Sequence, residues 1–391
     1  MSFSLEHPVD PALADAIRAR AVALGFQSVG FVRAERYDDA DLHLQAWLDA
    51  GYHGEMGYME RHRALRVDAR ALHEGTRTII AVTTPYSPIV WDEGEVRLAA
   101  YAVGEDYHHV LRAKLLELAE AVESLVGRPV NARPIVDSAP LLERETARRG
   151  GLGWFGKSAM LVHPRHGTYT LLSGLLVDLE LPANESLQPD RCGRCVRCLE
   201  VCPTGALLGD RVVDGSRCIS YLTIELKGAI PRELRAKIGL HLFGCDLCQA
   251  VCPWNRFASE TTMEALRAPA GSLPLDARTI LGMSRPEFNA RFRGTPMERS
   301  KRRGLARNAA VVLGNRRGPG DLDALVDALE SHDEPLVRAH TIWALGEWRS
   351  VGGDAYLRAR AAIQAAATRP ENADLHEEIT AALAAAPFEK G

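Results

Sequence analysis

The chain has 391 residues, 46% apolar and 25% charged, ordinary globular values that exclude a disordered, collagenous or fibrous protein. At roughly 150 residues per domain, the length predicts two or three domains, each able to bury its own core. The formal net charge of −4 excludes a uniformly basic nucleic-acid binder, yet residues 285–317 hold ten Lys or Arg against only Glu287 and Glu298. Such asymmetry predicts a basic docking face for a polyanion on an otherwise acidic protein. No apolar run approaches the ~18 residues of a membrane span. The N-terminal MSFSLEHPVDPALADAIR lacks the basic, apolar and small-residue order of an export signal. A soluble, cytoplasmic protein without a membrane partner is expected, and nothing argues for more than a monomer.

In chain order, Asp10-Pro11 followed by Leu13, Ile17, Ala21 and Leu24, then Gly25, predicts a capped amphipathic helix. Residues 28–32 predict a strand and 42–48 a second helix. The β-branched run 78–84, ending at Pro85, predicts a buried strand. Within 107–125, Val110, Leu111, Leu115, Leu118 and Val122 recur at helical spacing. A strand over 129–136 ends at Asp137, a helix follows over 140–149, and strands resume at 159–162 and 168–177. This is a mixed α/β (α+β) domain over 1–181, followed by a cysteine-bearing module over 182–260. Beyond it, 261–391 is Ala- and Leu-rich and helical, with an internal echo: 309–315 (AAVVLGN) recurs 32 residues later as 341–347 (TIWALGE). With the helix 322–329 and a break at 333–335 between the copies, the period predicts a short HEAT-like solenoid rather than an ordinary bundle.

All eight cysteines lie between Cys192 and Cys252. The first group is Cys192-x2-Cys195-x2-Cys198-x3-Cys202-Pro203, and the second is Cys245-x2-Cys248-x3-Cys252-Pro253, with Cys218 alone between them. The first spacing is that of bacterial ferredoxins, whose fourth cysteine ligates the other cluster. This assigns Cys192, Cys195, Cys198 and Cys252 to one 4Fe–4S cluster, and Cys202, Cys218, Cys245 and Cys248 to a second. The second run lacks the first cysteine of the ferredoxin pattern, and Cys218 fills the gap. A pair of zinc sites would use the same thiolates but would not need the crossing. Two cubes with crossed ligands lie close together and move electrons.

Residues 151–158 (GLGWFGKS) match the phosphate-loop pattern letter for letter. A phosphate loop must follow a strand and open a helix, so that backbone N–H groups meet the phosphates. Here a predicted helix precedes and β-rich sequence follows, so a glycine turn packed near another cofactor is the better expectation.

Asp137-Ser-Ala-Pro140-Leu-Leu-Glu143-Arg144, running into Ala147 and the 151–157 turn, followed by the two cysteine runs, closely resembles the epoxyqueuosine reductase family. So does Tyr101-Ala-Val-Gly-Glu-Asp106-Tyr107-His108, and the resemblance covers nearly the whole chain in order. It implies an α/β domain that binds cobalamin, a ferredoxin-like module with two 4Fe–4S clusters and a helical-repeat tail. It also implies a reaction, the last step of queuosine synthesis. Two electrons remove the epoxide oxygen of epoxyqueuosine at the wobble position of tRNA, supplied by an external low-potential donor. The D-x-H-x-x-G signature of histidine-on ligation to cobalt is absent, which agrees with cobalamin bound without a protein histidine on the metal.

By motif match Asp137 is the expected general acid, with a pKa raised by burial against the corrin; its bland alternative is a cap for the helix near Pro140. The family's organisation places Arg61, Tyr107, Ser173, Ser220 and Asp246 around the corrin. Tyr107 could equally belong to the core, and Arg61 could be a solvated charge. Arg291, Arg293, Arg299, Lys301, Arg302, Arg303 and Arg307 are the expected contacts to the tRNA backbone, against the reading of a solvated helix face. The rivals are a reductive dehalogenase-like enzyme acting on a small organic substrate, an electron carrier and a cluster-bearing NTPase. The basic tail, the large first domain and the context of the glycine turn weigh against each in turn.

Overall fold

A computed structural model describes residues 11–184 and 186–384. The capping role expected of Asp10 lies outside them. The first domain is built on a four-stranded antiparallel sheet in the spatial order Ser28–Arg33, Thr78–Pro85, Thr170–Val177, Ala132–Ile135. Thr78–Pro85 is buried at all eight positions, as its β-branched run demands. Its register with Thr170–Val177 pairs Ile80 with Leu175 and Val82 with Ser173. One face therefore presents Ile80, Val82, Leu175 and Val177 to the helices Pro11–Ala23 and Tyr107–Val126. The other face packs Ile79, Ala81, Ile135 and Leu176 against Tyr37, Leu141 and Ala147. Asp106 caps the long helix by accepting the His108 N–H, and Gly127 ends it in the left-handed region at φ 71°.

The glycine turn is not a phosphate loop. The helix Glu143–Arg149 precedes it, and its own Trp154–Phe155 pairs with Leu161–Val162 as a small ladder. A Cβ on Gly153 would lie 2.4 Å from the Val162 carbonyl oxygen, so close packing of the ladder explains a glycine there.

Packing crosses both domain boundaries expected from the sequence. The strand His241–Phe243 pairs in parallel with Arg97–Leu98 of the first domain. A single core joins Leu98 and Ala102 to Leu222, Leu242 and Phe243 of the cysteine module and to Leu305, Val312 and Trp343 of the tail. Met263 and Leu266 return to the core of the first domain. The expectation that each domain buries its own core holds for the two faces of the first domain's sheet and is corrected for the cysteine module and the tail, which share one core. The physical reason is that a module of about 80 residues has little apolar surface to enclose alone.

The tail is two-layered. Helices Lys301–Arg316, Pro335–Gly346 and His376–Ala384 stack in one layer, while Asp321–Ser331 packs on Gly353–Ala367 in the other. Both echo segments lie in the first layer. A Cβ on Gly314 would meet Ala344 at 2.7 Å, and one on Gly346 would meet Ala382 at 3.2 Å. The repeated glycine therefore marks equivalent helix contacts. No helix of the described residues is long and apolar enough to cross a membrane.

Candidate redox and catalytic centre

The turn after Ala132–Ile135 carries Asp137 at φ 48°, a left-handed conformation that costs a non-glycine residue about 1–2 kcal/mol. Glu143, at the start of the next helix, stabilises the turn by accepting the Asp137 N–H at 2.6 Å. No helix is capped by Asp137: the helix begins at Glu143, and its N-cap is Leu142 without a side-chain bond.

Two residues at the head of the long helix meet the Asp137 carboxylate. Tyr107 Oη donates to Oδ2 at 2.8 Å, and His108 Nε2 lies 3.3 Å from the same oxygen. His108 Nδ1 lies 2.6 Å from Asp106 Oδ1, so both ring nitrogens face carboxylates. Burial lowers the His108 pKa, but the bonds to Asp106 and Asp137 and their charges prevail and raise it to about 9. Burial pushes the Asp137 carboxyl up, yet the bonds from His108 and Tyr107 and the nearby cations outweigh it and leave it below the usual range. This corrects the expectation of a raised Asp137: in this arrangement the aspartate is ionised and its neighbours hold the protons. Its side chain is 60% exposed, so the carboxylate faces open space. Burial, followed by the Asp137 charge, pushes Glu143 up to about 8. Two neighbouring carboxyls are thus driven apart, one ionised and one protonated at neutral pH.

His108, Glu143 and Arg66 were not singled out from the sequence as site residues. The first two stood inside the motifs that carried the resemblance. Arg66 stacks over Tyr58 with 5.7 Å from guanidinium carbon to ring centroid, and its charge acts on Asp137, but no periodicity marks it.

The eight thiols gather in two groups of four. Cys252 interacts with Cys192, Cys195 and Cys198, while Cys245 interacts with Cys218 and Cys202, and Cys248 with Cys245 and Cys218 and also with Cys198 of the first group, so the two groups adjoin. Among the described residues no three His, Cys, Asp or Glu converge as a single metal ion requires. The second quartet is the inner one, since Cys218 and Cys245 pack against the large core. The first lines a surface cavity of about 200 Å³ together with Lys157 of the glycine turn.

Of the residues expected around a corrin, Tyr107 joins Asp137, as described. Ser173 is buried, and its Oγ has no partner; Thr84 Oγ1, on the same sheet face, is buried and unpartnered too. An unpaired buried hydroxyl costs roughly 1–3 kcal/mol, so these two suit a polar group not supplied by the chain, as does Thr83 Oγ1 on the opposite face, which is buried and unpartnered too. Ser220 hydrogen-bonds Cys218. The Asp246 carboxylate is already engaged, accepting the Ala100 N–H at 2.7 Å and the Gln249 amide at 3.2 Å. Arg61 is exposed on the short helix Tyr58–Arg61.

The basic run divides. Arg291, Arg293, Arg299, Lys301 and Arg303 are exposed. Arg299 pairs in bidentate fashion with Glu225 at 2.7 and 2.9 Å, and its charge reaches Asp137. Lys227, unmarked in the sequence, joins this cluster by donating to the Arg299 carbonyl at 3.4 Å. Two expectations are corrected. Arg307 is fully buried and donates to the carbonyls of Leu222, Leu226 and Gly228, so it holds the module to the tail and cannot touch a phosphate. Arg302 is only 11% exposed and its guanidinium is neutralised by Asp333 at 2.6 Å.

Comparison with known proteins agrees with this centre. Residues 191–255 match the family model of a 4Fe-4S double cluster binding domain, and 66–138 match that of epoxyqueuosine reductase QueG, DUF1730. An epoxyqueuosine reductase of Pseudomonas aeruginosa is 42% identical over 86% of this chain and 95% of its own. That of Escherichia coli K12 is 40% identical over 86% of this chain and 89% of its own. A crystal structure of epoxyqueuosine reductase with an epoxyqueuosine-modified tRNA-Tyr stem loop superposes with a TM-score of 0.86 at 27% identity, covering 95% of this chain and 98% of that one. In a Bacillus subtilis structure, TM-score 0.83 at 27% identity over 95% and 98% of the two chains, the catalytic aspartate loop is swung out of the active site. With the two thiol quartets, the turn at Asp137 and full-length similarity in agreement, this chain belongs to the epoxyqueuosine reductase family.

Proposed function

We propose that the protein reduces epoxyqueuosine to queuosine at the wobble position of tRNA, as a cytoplasmic monomer. The observation that carries this reading is the Asp137 carboxylate, open to solvent, with two proton-bearing side chains on one oxygen and the inner thiol quartet behind them. Tyr101 packs edge-on against Tyr107 at 5.6 Å and tilts against Phe243 at 6.5 Å, two residues before Cys245.

Opening the epoxide to an alkene consumes two electrons and two protons and releases water. Cys192, Cys195, Cys198 and Cys252 would hold one 4Fe–4S cluster and Cys202, Cys218, Cys245 and Cys248 the other, supplying single electrons. Cobalamin, which the family resemblance implies and the unpartnered Ser173 and Thr84 hydroxyls suit, supplies when bound a strongly reducing centre for the substrate carbon. The chain's own residues handle the proton. His108 is cationic at neutral pH, and Tyr107 is neutral because burial and the Asp137 charge raise its pKa. Asp137, itself ionised, accepts from both and can relay one proton from His108 to the departing oxygen, with Tyr107 holding the carboxylate in place; the second proton of the reaction comes from solvent. Its left-handed turn, tied by Glu143, fixes where that proton is delivered.

The tRNA would lie along Arg291, Arg293, Arg299, Lys301, Arg303 and Lys227, whose Arg299 end adjoins Asp137, with the two-layered tail read as HEAT-like. Phosphate contacts orient such a substrate without reading its sequence. The decisive experiment is anaerobic turnover of epoxyqueuosine-containing tRNA by reconstituted protein, with and without cobalamin, weighing the nucleosides by mass spectrometry. Loss of one oxygen only with cobalamin present is expected. No loss with both clusters intact would overturn the reading.

A further inference from the structure

Three arginines each stand immediately before a cysteine of the outer quartet, in the order Arg191-Cys192, Arg194-Cys195, Arg197-Cys198. The cysteines turn inward and the arginines outward, where all three are exposed. Arg256 is exposed beside them, four residues beyond Cys252, and with Arg191 and Arg197 it lines the cavity that reaches the quartet. The guanidinium groups of Arg191, Arg194 and Arg197 make no hydrogen bond or ion pair among the described residues. Nearby Asp190 is already engaged by Arg211 and by the Cys192 N–H. Several other arginines do have a carboxylate partner, as Arg148 and Arg149 with Glu145, Arg235 with Glu378 and Arg316 with Asp321. Exposed apolar side chains stand among these cations, with Val196 38% and Phe257 42% exposed. Unpaired like charges around an apolar collar are the surface that an oppositely charged protein neutralises on docking.

We propose that Arg191, Arg194, Arg197 and Arg256 form the docking surface for an acidic, ferredoxin-type iron–sulfur protein that reduces the outer cluster. The inference rests on reading Cys192, Cys195, Cys198 and Cys252 as the ligands of that cluster. The RNA has its own cationic face beside Asp137, whereas this patch surrounds the quartet that lines the surface cavity. Each docking event oxidises the donor by one electron and reduces the outer cluster by one. Two events, with two protons from solvent, balance the conversion of one epoxide to an alkene and water.

The test is the triple variant Arg191→Glu, Arg194→Glu, Arg197→Glu in the full chain with both clusters reconstituted. Reduction by a reduced acidic ferredoxin is followed by stopped-flow bleaching of the cluster absorbance, and binding of the oxidised ferredoxin by calorimetry. Electrostatic steering is worth 10–10³ in association rate, so a fall of about 10²-fold at low salt is expected, with calorimetric binding lost. The wild-type rate falls steeply with ionic strength, and the variant's does not. Reduction by photoreduced 5-deazariboflavin, a small uncharged donor, and gel-shift affinity for tRNA stay unchanged. A triple Arg→Gln variant, expected at about a tenfold loss, serves if charge reversal blocks cluster assembly. An unchanged ferredoxin rate overturns the proposal, and an equal loss with deazariboflavin shows that the arginines tune the cluster instead. A loss of tRNA affinity assigns the patch to RNA, and a rate that depends on the arginines only with a flavin carrier assigns it to that donor. Failure of turnover with ferredoxin binding intact would refute the proposed reaction and leave the docking surface standing.

Discussion

Replacing His108 by Gln removes the imidazole that bridges Asp106 and Asp137 while keeping a side chain able to hydrogen-bond. The raised pKa sets the magnitude. At pH 7.5 a histidine at the ordinary 6.5 is about 10% protonated, and one at about 9 is about 97% protonated, roughly a tenfold gain in proton loading. Loss of the positive charge beside the developing alkoxide adds to this, so a fall of about 10²-fold in the single-turnover rate at pH 7.5 is expected. The sign of the stability effect follows from the same shift. The folded pKa lies above the unfolded one, so the stabilisation is complete below about pH 6.5 and disappears as pH rises through about 9. A shift of roughly 2.5 units is about 3 kcal/mol, and screening at a side chain 30% exposed reduces it to about 2 kcal/mol. The assay is anaerobic single turnover of epoxyqueuosine-containing tRNA between pH 6 and 10, with Glu143→Gln as a second variant, because Glu143 titrates at about 8. Wild type holds its rate through pH 7.5 and loses it in the alkaline range. A His108→Gln enzyme with the wild-type rate and profile, or a wild-type rate already failing above pH 6.5, would refute the reasoning.

Asp137→Asn should keep the turn, because Asn tolerates left-handed backbone, and should lose about 10²–10⁴ in rate with clusters and tRNA affinity intact; full activity counts against a proton-handling role. The pair Lys301→Glu and Arg303→Glu should weaken tRNA binding and lower the salt slope by about two, read by gel shift across salt concentrations. Arg307→Met strips three buried carbonyls of their donor at about 1–3 kcal/mol each, so melting should fall by several degrees or the protein become insoluble. An unchanged melting temperature with lost tRNA affinity would restore Arg307 to the RNA face. Cys252→Ser and Cys245→Ser should each lower iron content from about eight toward about four per chain, and iron near eight in both would break the crossed assignment.

What was legible in the sequence was what local pattern dictates. The buried strand at Thr78–Pro85, the helix Tyr107–Val126 and the failure of the 151–158 turn to form a phosphate loop all followed from periodicity, caps and neighbours. The double 4Fe–4S cluster domain over 191–255 followed from cysteine spacing. Long-range packing was not legible. Nothing in the run Lys301-Arg302-Arg303 to Arg307 distinguishes an exposed arginine from one that three distant carbonyls capture, because those carbonyls come from residues about 80 positions away. The ionisation of Asp137 was misjudged for the same reason: its pKa is set by Tyr107 and His108, about 30 residues upstream.

Those long-range contacts tie the Asp137 turn, the cysteine module and the tail to one another. The loop after Cys245 is tied to the first domain through Asp246, which accepts the Ala100 N–H, and through Gln249, whose Oε1 accepts from Tyr86 at 3.2 Å. Ala100 adjoins Tyr101, and Tyr101 packs on Tyr107, whose hydroxyl rests on Asp137. On the other side, Thr223 accepts the Gly244 N–H at 2.9 Å, and Asn308 of the tail donates to the Thr223 carbonyl at 2.7 Å. A displacement of the tail is therefore felt at Cys245 through two hydrogen bonds, and at Asp137 through two further hydrogen bonds and one aromatic pair. In the proposed reaction electrons go to a substrate carbon and a proton to the oxygen leaving it, so both sources must be fixed relative to one substrate, and independently cored domains would not hold them so. The shared core joining Leu98, Phe243 and Leu305 provides that rigidity, at the cost of the modularity that the sequence suggests.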